Sequence, residues 1–270
     1  MIKDITIGQF FPGNSFLHRM DARMKLVLLV AMIVLIFVSG NAVSLALSAI
    51  IVLSIVAFSK ISFKMVFKGL KPILFIVAFT ALINLFYGTG KPIAEFWIFK
   101  ITLEGIYNAV FMAVRIVLLV IIGSMLTYTT SPTALTDGIE SLMKPLKYIK
   151  VDVHTIAMTM TIALRFIPTL IEEIDKITAA QKSRGADMES GNLVHRAKAL
   201  IPILIPLFVS SFRRAGELAY AMECRCYRGG DGRTKMKQMK CTKVDYAALA
   251  FVVVAFVAVI LLNTFVPPIF

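Results

Sequence analysis

Apolar residues along the chain form five runs that are long enough, or nearly long enough, to cross a membrane as helices. A spanning helix needs about 20 mostly apolar residues. The first three runs are short enough that their polar flanks must contribute. The pattern therefore predicts five transmembrane helices, at Met24 to Asn41, Ala42 to Phe58, Pro72 to Tyr87, Ile106 to Thr127 and Tyr246 to Val266.

The distribution of basic residues predicts the orientation of these helices. Lys and Arg are enriched in the cytoplasmic loops of membrane proteins. They precede the first run and fill the loop after the second, whereas the turn after the first run is uncharged and residues 88–105 carry acidic residues as well. The N-terminus is therefore predicted in the cytoplasm and the C-terminus outside the cell membrane. No small-residue cleavage site follows the first run, so we expect the N-terminus to be retained.

The composition agrees with a membrane protein. Hydrophobic residues make up 58% of the 270 residues, against about 45 to 50% in soluble domains, and the mean hydropathy is +0.82. The 29 Lys and Arg residues outnumber the 16 Asp and Glu residues, which gives a net charge of +13. In so apolar a chain this excess indicates an anionic membrane face, and no nucleic-acid-binding motif accompanies it.

A long basic segment lies between the fourth and fifth runs, and it contains two further apolar stretches, Val153 to Ile171 and Ala199 to Phe212. If both crossed the membrane, the basic residues between them would lie outside, against the charge bias. We interpret them as long helices along the inner membrane face. Pro202 and Pro206 predict a kink or an irregular start in the second, because proline lacks a backbone donor.

The chain is accordingly divided into three regions. Residues 1–127 form a membrane region with four transmembrane helices, residues 128–243 form a cytoplasmic region of long helices, and residues 244–270 form a C-terminal transmembrane helix.

Each of the two long cytoplasmic helices is predicted to end in an arginine beside a stop signal. We call Ser183-Arg184-Gly185 the first tip and Cys224-Arg225-Cys226 the second tip; Arg228 and Gly229 follow the second. In a purely structural interpretation, glycine caps the helix and arginine complements the negative end of its dipole. In a functional interpretation, each arginine projects its fork of donors into a groove on a partner. Two such tips on consecutive helices favour docking.

The remaining polar residues show no catalytic or metal-binding pattern. His18, His154 and His195 lie far apart, and Cys224, Cys226 and Cys241 lack a fourth ligand nearby for zinc. The HExxH, GxSxG and Walker A motifs are missing, so no catalytic residue, metal or cofactor is predicted.

Four charged residues receive a weaker interpretation. Glu172, Glu173 and Asp175 are taken as a solvated helix face. Arg115 lies inside the fourth apolar run, where a charge is functional by default, and Glu104 is the only partner that the sequence offers.

Four segments together resemble the T-component, the transmembrane scaffold subunit, of energy-coupling factor importers of vitamins and metals, and the resemblance covers essentially the whole chain. The segments are Ser15 to Lys25, Leu164-Arg165-Phe166-Ile167-Pro168, the first tip, and Ala221 to Gly230. That family carries two Ala-Arg-Gly signatures, which map onto the two tips with both arginines retained. Cys226 stands in place of the second glycine, so Gly229 is an alternative cap there.

The resemblance implies an all-α polytopic membrane protein with about five transmembrane helices and a cytoplasmic region of long coupling helices. Two cytosolic ABC-type ATPase subunits would each receive one tip, and a separate small membrane protein, the S-component, would bind the substrate. Pro168, Pro202 and Pro206 would be hinge points. Nucleic acid is not an expected partner.

Two alternatives remain at this point. An ABC-type permease would itself form the substrate path, and Ala179-Ala180 with Gly185 resembles the Ala-Ala and Gly arrangement of permease loops. A membrane-bound enzyme would turn over a substrate without partners, although no catalytic motif supports it.

Overall fold

The structure is a computed structural model that describes residues 10–86, 92–96, 99–186, 192–230 and 239–265. Ten α-helices, one 3-10 helix and one β-hairpin occupy these residues. In chain order they are α1 (Phe16–Arg19), α2 (Ala22–Val38), α3 (Ala42–Ser59), α4 (Phe63–Leu70), α5 (Leu74–Phe86), β1 (Pro92–Phe96), β2 (Phe99–Thr102), α6 (Leu103–Thr129), α7 (Pro132–Met143), the 3-10 helix (Lys144–Ile149), α8 (Val153–Ser183), α9 (Leu193–Cys224) and α10 (Lys243–Phe265).

The predicted all-α membrane fold class is confirmed, because helices dominate and five of them are long and apolar enough to span a bilayer. The antiparallel pair β1 and β2 is the one departure in the described residues, and it lies in the predicted outer loop. Its strands have only five and four residues.

The helices that satisfy the length and composition of a span overlap only in part with the predicted five. Helices α3, α6 and α10 agree with predicted spans. Helix α2 has 17 residues, which is about 26 Å of helix. Helices α4 and α5 meet at an angle of 61° and qualify only as a bent pair. Helices α8 and α9 also qualify by length and composition alone, although the charge bias assigned them to the inner face.

The chain separates into two compact units. The first unit consists of residues 8–138 and 238–270 and holds the core formed by α2, α3, α6 and α10. Leu35, Ile36 and Val52 are fully buried in it. Ser44 and Ser48 are also fully buried on α3, and small residues of this kind let membrane helices approach closely.

Polar contacts tie α2, α6 and α10 together near the start of α2. The buried Asp245 carboxylate accepts hydrogen bonds from the backbone N–H of Asp21 at 2.9 Å and of Thr242 at 2.6 Å. Lys25 Nζ donates to the carbonyl of Thr129 at 2.9 Å. Because Thr129 ends α6, the lysine satisfies a carbonyl that has no helical donor. These bonds fix the relative positions of three helix ends.

Arg115 has a structural partner that its sequence position does not reveal. Its guanidinium donates to the carbonyl of Ser39, just beyond the end of α2, at 2.5 Å, and lies 4.6 Å from the ring centre of Phe111. Asn263 Nδ2 donates to the neighbouring Val38 carbonyl at 2.7 Å. The arginine therefore caps α2 rather than pairing with Glu104.

Candidate functional site

The second unit, which includes residues 139–237, contains α8 and α9, and these helices pack against each other as an antiparallel pair. Glu173 on α8 forms an ion pair with Arg214 on α9 and accepts a hydrogen bond from Ser210 Oγ at 3.2 Å. Nearer the end of α8, Gln181 Nε2 donates to the carbonyl of Pro202 at 3.3 Å. As residue numbers rise on α8 they fall on α9 across these contacts, so the two tips point to opposite ends of the pair.

The first tip ends α8 in a Schellman motif. The N–H of Gly185 donates to the carbonyl of Lys182 at 3.0 Å, and the N–H of Ala186 donates to the carbonyl of Gln181 at 3.0 Å. Gly185 has a φ of 86°, in the left-handed region that glycine adopts without strain. The predicted glycine cap at this tip is present.

The second tip ends α9 in the same motif. The N–H of Cys226 donates to the carbonyl of Glu223 at 2.8 Å, and the N–H of Tyr227 donates to the carbonyl of Met222 at 3.0 Å. Cys226 itself is left-handed, with a φ of 57°. The alternative in which Gly229 caps α9 is therefore wrong, although Gly229 also has a positive φ, of 92°.

The two arginines occupy the same position in the two caps. Arg184 has φ −85° and ψ 3°, and Arg225 has φ −89° and ψ 13°. Both side chains are exposed, as is that of Arg228. In the part of the chain that the structure describes, neither Arg184 nor Arg225 forms a side-chain ion pair. Each guanidinium therefore presents its N–H donors without a partner among the residues that the structure describes.

The tips are also placed symmetrically about the ion pair between Glu173 and Arg214. Arg184 follows Glu173 by about three helical turns, and Arg225 follows Arg214 by about three turns. Each tip consequently lies about 16 Å along its own helix from this ion pair. The two arginines are therefore about equally far from the centre of the helix pair.

The three predicted hinge prolines lie inside continuous helices, Pro168 in α8 and Pro202 and Pro206 in α9. Helix α9 begins well before Pro202, so the predicted irregular start is wrong. Because Pro206 has no N–H, the carbonyl four residues earlier, that of Pro202, loses its helical donor. Gln181 supplies the missing donor from α8, which joins the last turn of the first tip's helix to α9.

Helix α9 also presents a broad exposed apolar surface. The surface consists of Leu204, Ile205, Phe208, Val209 and Phe212, which are between 44% and 74% exposed. Apolar surface of this extent usually meets lipid or another protein.

Sequence reasoning missed three residues that organise this unit. Glu173 is paired and half-buried, so its interpretation as part of a solvated face is wrong, whereas Glu172 and Asp175 are exposed as predicted. Arg214 and Gln181 carry no sequence motif. The sequence offers one signal for the ion pair: Glu173 and Arg214 each precede the arginine of a tip by about three helical turns.

Other chemistry is not assembled by the described residues. No group of three or more His, Cys, Asp or Glu side chains within them could hold a metal ion. Cys224, Cys226 and Cys241 are free thiols and exposed. His18 bonds Ser15 and the carbonyl of Phe11.

The fold and the two exposed arginine caps define a polytopic helical membrane protein, and comparison with known proteins agrees with this fold class. The family model described as CbiQ, cobalt transport protein, matches residues 13–236. The energy-coupling factor transporter transmembrane protein EcfT of Ruminiclostridium cellulolyticum is 55% identical over 263 residues, which cover 97% of this chain and 98% of the relative.

Two further relatives bear the same name. The EcfT protein of Thermosediminibacter oceani is 51% identical over 92% of this chain and 93% of its own, and that of Bacillus subtilis is 42% identical over 94% and 96%. The chain therefore belongs to the CbiQ/EcfT family of transporter transmembrane proteins, and the resemblance is confirmed. The relatives' shared name favours the predicted scaffold role over that of a standalone permease.

Proposed function

We propose that this chain is the non-catalytic coupling subunit of an ATP-driven importer of a vitamin or another micronutrient, and that its two tips dock onto two cytosolic ABC-type ATPase subunits. A separate small membrane protein, the S-component, binds the substrate. The observation that carries the proposal is the repetition of one cap geometry, with an exposed arginine at the same position, at the ends of α8 and α9.

The chemistry of the tips supports docking on two like partners. An exposed guanidinium at a helix end can bond carboxylates or carbonyl oxygens in a groove with defined geometry. Because α8 and α9 are antiparallel, the tips diverge, so a single small partner would have difficulty contacting both. Two copies of one ATPase fold, or two related ATPases, satisfy the geometry.

Transmission of ATP-driven movement follows from how the two helices are joined. The Glu173 and Arg214 ion pair and the Gln181 and Pro202 bond connect α8 to α9 between the tips. A change in the separation of the ATPases would therefore alter the angle between the helices and move the exposed apolar surface of α9. That surface is the proposed contact for the S-component, and Pro168, Pro202 and Pro206 are the proposed points of bending.

Docking on cytosolic ATPases requires both tips to face the cytoplasm. The Lys and Arg bias supports this orientation, with a cytoplasmic N-terminus and a C-terminus outside the cell membrane.

The proposal is tested by charge reversal at both tips, in the complex as co-expressed with its partners. Arg184→Glu combined with Arg225→Glu should leave insertion unchanged but release the ATPases and abolish ATP-dependent uptake, because an acidic side chain would face acceptors on the partner. Arg213→Glu is the matched control, since Arg213 is exposed on α9 away from the tip. Retained ATPases together with normal uptake in the double variant would contradict the docking assignment.

The alternative of an ABC-type permease is separated from this proposal by ligand binding. A permease that forms the substrate path should retain substrate when purified alone, whereas a coupling subunit should retain none without the S-component. Turnover by the isolated chain would instead favour an enzyme.

A further inference from the structure

The segment after the second tip reaches the beginning of α8. Residues Tyr227 to Gly230 follow the cap of α9, and Gly230 then lies directly against His154 in the first turn of α8. A Cβ atom on Gly230 would lie 2.6 Å from Cγ and 2.9 Å from Cβ of His154. Such distances essentially never occur, so glycine is the only residue that fits without a shift.

His154 is held from the other side by α7. Its Nδ1 lies 3.6 Å from a carboxylate oxygen of Glu140, and its Nε2 is buried without a partner among the described residues. The α8 turn that bears His154 is capped by Asp152, whose carboxylate accepts from the Thr155 N–H at 3.2 Å. The imidazole therefore lies between α7 and the segment that follows the second tip, and it contacts both.

The antiparallel packing explains why this contact is within reach. Helix α9 ends about three turns beyond Arg214, whereas α8 begins about five and a half turns before Glu173. The start of α8 thus extends past the end of α9 by about 15 Å. Residues 226–230 lead from the cap of α9 to this part of α8.

We propose that Gly230 and His154 are positioning residues that brace the second tip against the base of α8, so that the orientation of Arg225 is fixed by both coupling helices. The Gln181 and Pro202 bond plays the equivalent part at the first tip. The use of the brace in transport rests on the proposed docking function, but the brace itself is a property of this chain.

The brace is tested in the full-length chain with a spin label on the native thiol of Cys226, after replacing the other exposed thiols with Cys224→Ser and Cys241→Ser. Gly230→Ala should increase the mobility of the label, because the added methyl group forces the segment away from His154. Gly216→Ala is the matched control, since a Cβ there meets nothing within 4 Å. His154→Ala combined with Gly230→Ala removes the two shortest overlaps, those with Cγ and Cδ2 of the imidazole, and leaves only the 2.9 Å approach to Cβ. The double variant should therefore partly restore the original mobility of the label, which a general folding defect would not do.

The consequence for docking is measured in the co-expressed complex. Gly230→Ala should weaken retention of the ATPases about tenfold, as expected when overpacking displaces a contact, and the double variant should recover part of it. Equal spectra and equal retention for Gly230→Ala and Gly216→Ala would overturn the brace. If Arg225→Glu also left retention of the ATPases unchanged, the proposed docking function would be wrong as well. If Arg225→Glu released the ATPases but Gly230→Ala did not, only the brace would be wrong.

Discussion

The second tip contains a cysteine where the backbone requires a left-handed conformation, and replacing it with glycine should stabilise the end of α9. Cys226 has a φ of 57° and occupies the position that Gly185 occupies at the first tip. A residue with a Cβ atom loses about 1 to 2 kcal/mol in this conformation. Glycine avoids this strain, but it makes the unfolded chain more flexible, which costs about 0.5 to 1 kcal/mol of folding free energy. Cys226→Gly should therefore stabilise the cap by about 0.5 to 1 kcal/mol.

The assay is amide hydrogen exchange, because the cap bonds are made by identified amides. The N–H groups of Cys226 and Tyr227 donate to carbonyls in the last turn of α9. If they exchange by local opening, a gain of about 1 kcal/mol slows exchange about fivefold. Gly185→Cys is the reciprocal variant and should speed exchange at Gly185 and Ala186, whose bonds at the first tip are equivalent.

The result that would refute this reasoning is faster or unchanged exchange at Tyr227 in Cys226→Gly. That outcome would mean that contacts of the cysteine side chain outweigh the backbone strain.

Two further predictions concern hydrogen bonds in the two units. Gln181→Met removes the donor to the Pro202 carbonyl at similar side-chain volume and should destabilise the α8 and α9 pair by about 1 kcal/mol, seen as a lower midpoint of thermal unfolding in detergent; an unchanged midpoint would mean that water replaces the glutamine. Burial opposes ionisation of Asp21, but the hydrogen bonds and charge of Arg23 outweigh it and hold the pKa of Asp21 below its usual value. The stability that ionised Asp21 contributes is therefore complete above about pH 4 and is lost as the pH falls through the lowered pKa. The midpoints of thermal unfolding of wild type and Asp21→Asn should accordingly differ above about pH 4 and converge at lower pH.

Much of the membrane architecture could be predicted because it depends on local patterns. Runs such as Ile106 to Thr127 contain enough apolar residues to identify α6 without knowledge of its neighbours. The tips were predictable for a similar reason, since Gly185 and the arginines that precede the stop signals are local cues. The hairpin of β1 and β2 was not predicted because its strands are too short to show an alternating pattern.

The residues that join helices were beyond prediction because their partners are distant in the sequence. Arg115 was assigned no better partner than Glu104, yet it bonds the carbonyl of Ser39 across the helix packing. Glu173 was predicted to be solvent-exposed, because its partner Arg214 lies on a different helix, α9.

The sequence by itself determined that this is a helical membrane protein with two arginine-bearing helix ends, since hydrophobic length, charge bias and capping residues act over a few turns of chain. Only the structure decided that the two tips share one cap geometry, because a cysteine in the sequence does not indicate the left-handed conformation that Cys226 adopts. It also decided that the tips diverge about a central ion pair, because the antiparallel packing of α8 and α9 brings together side chains about 40 residues apart.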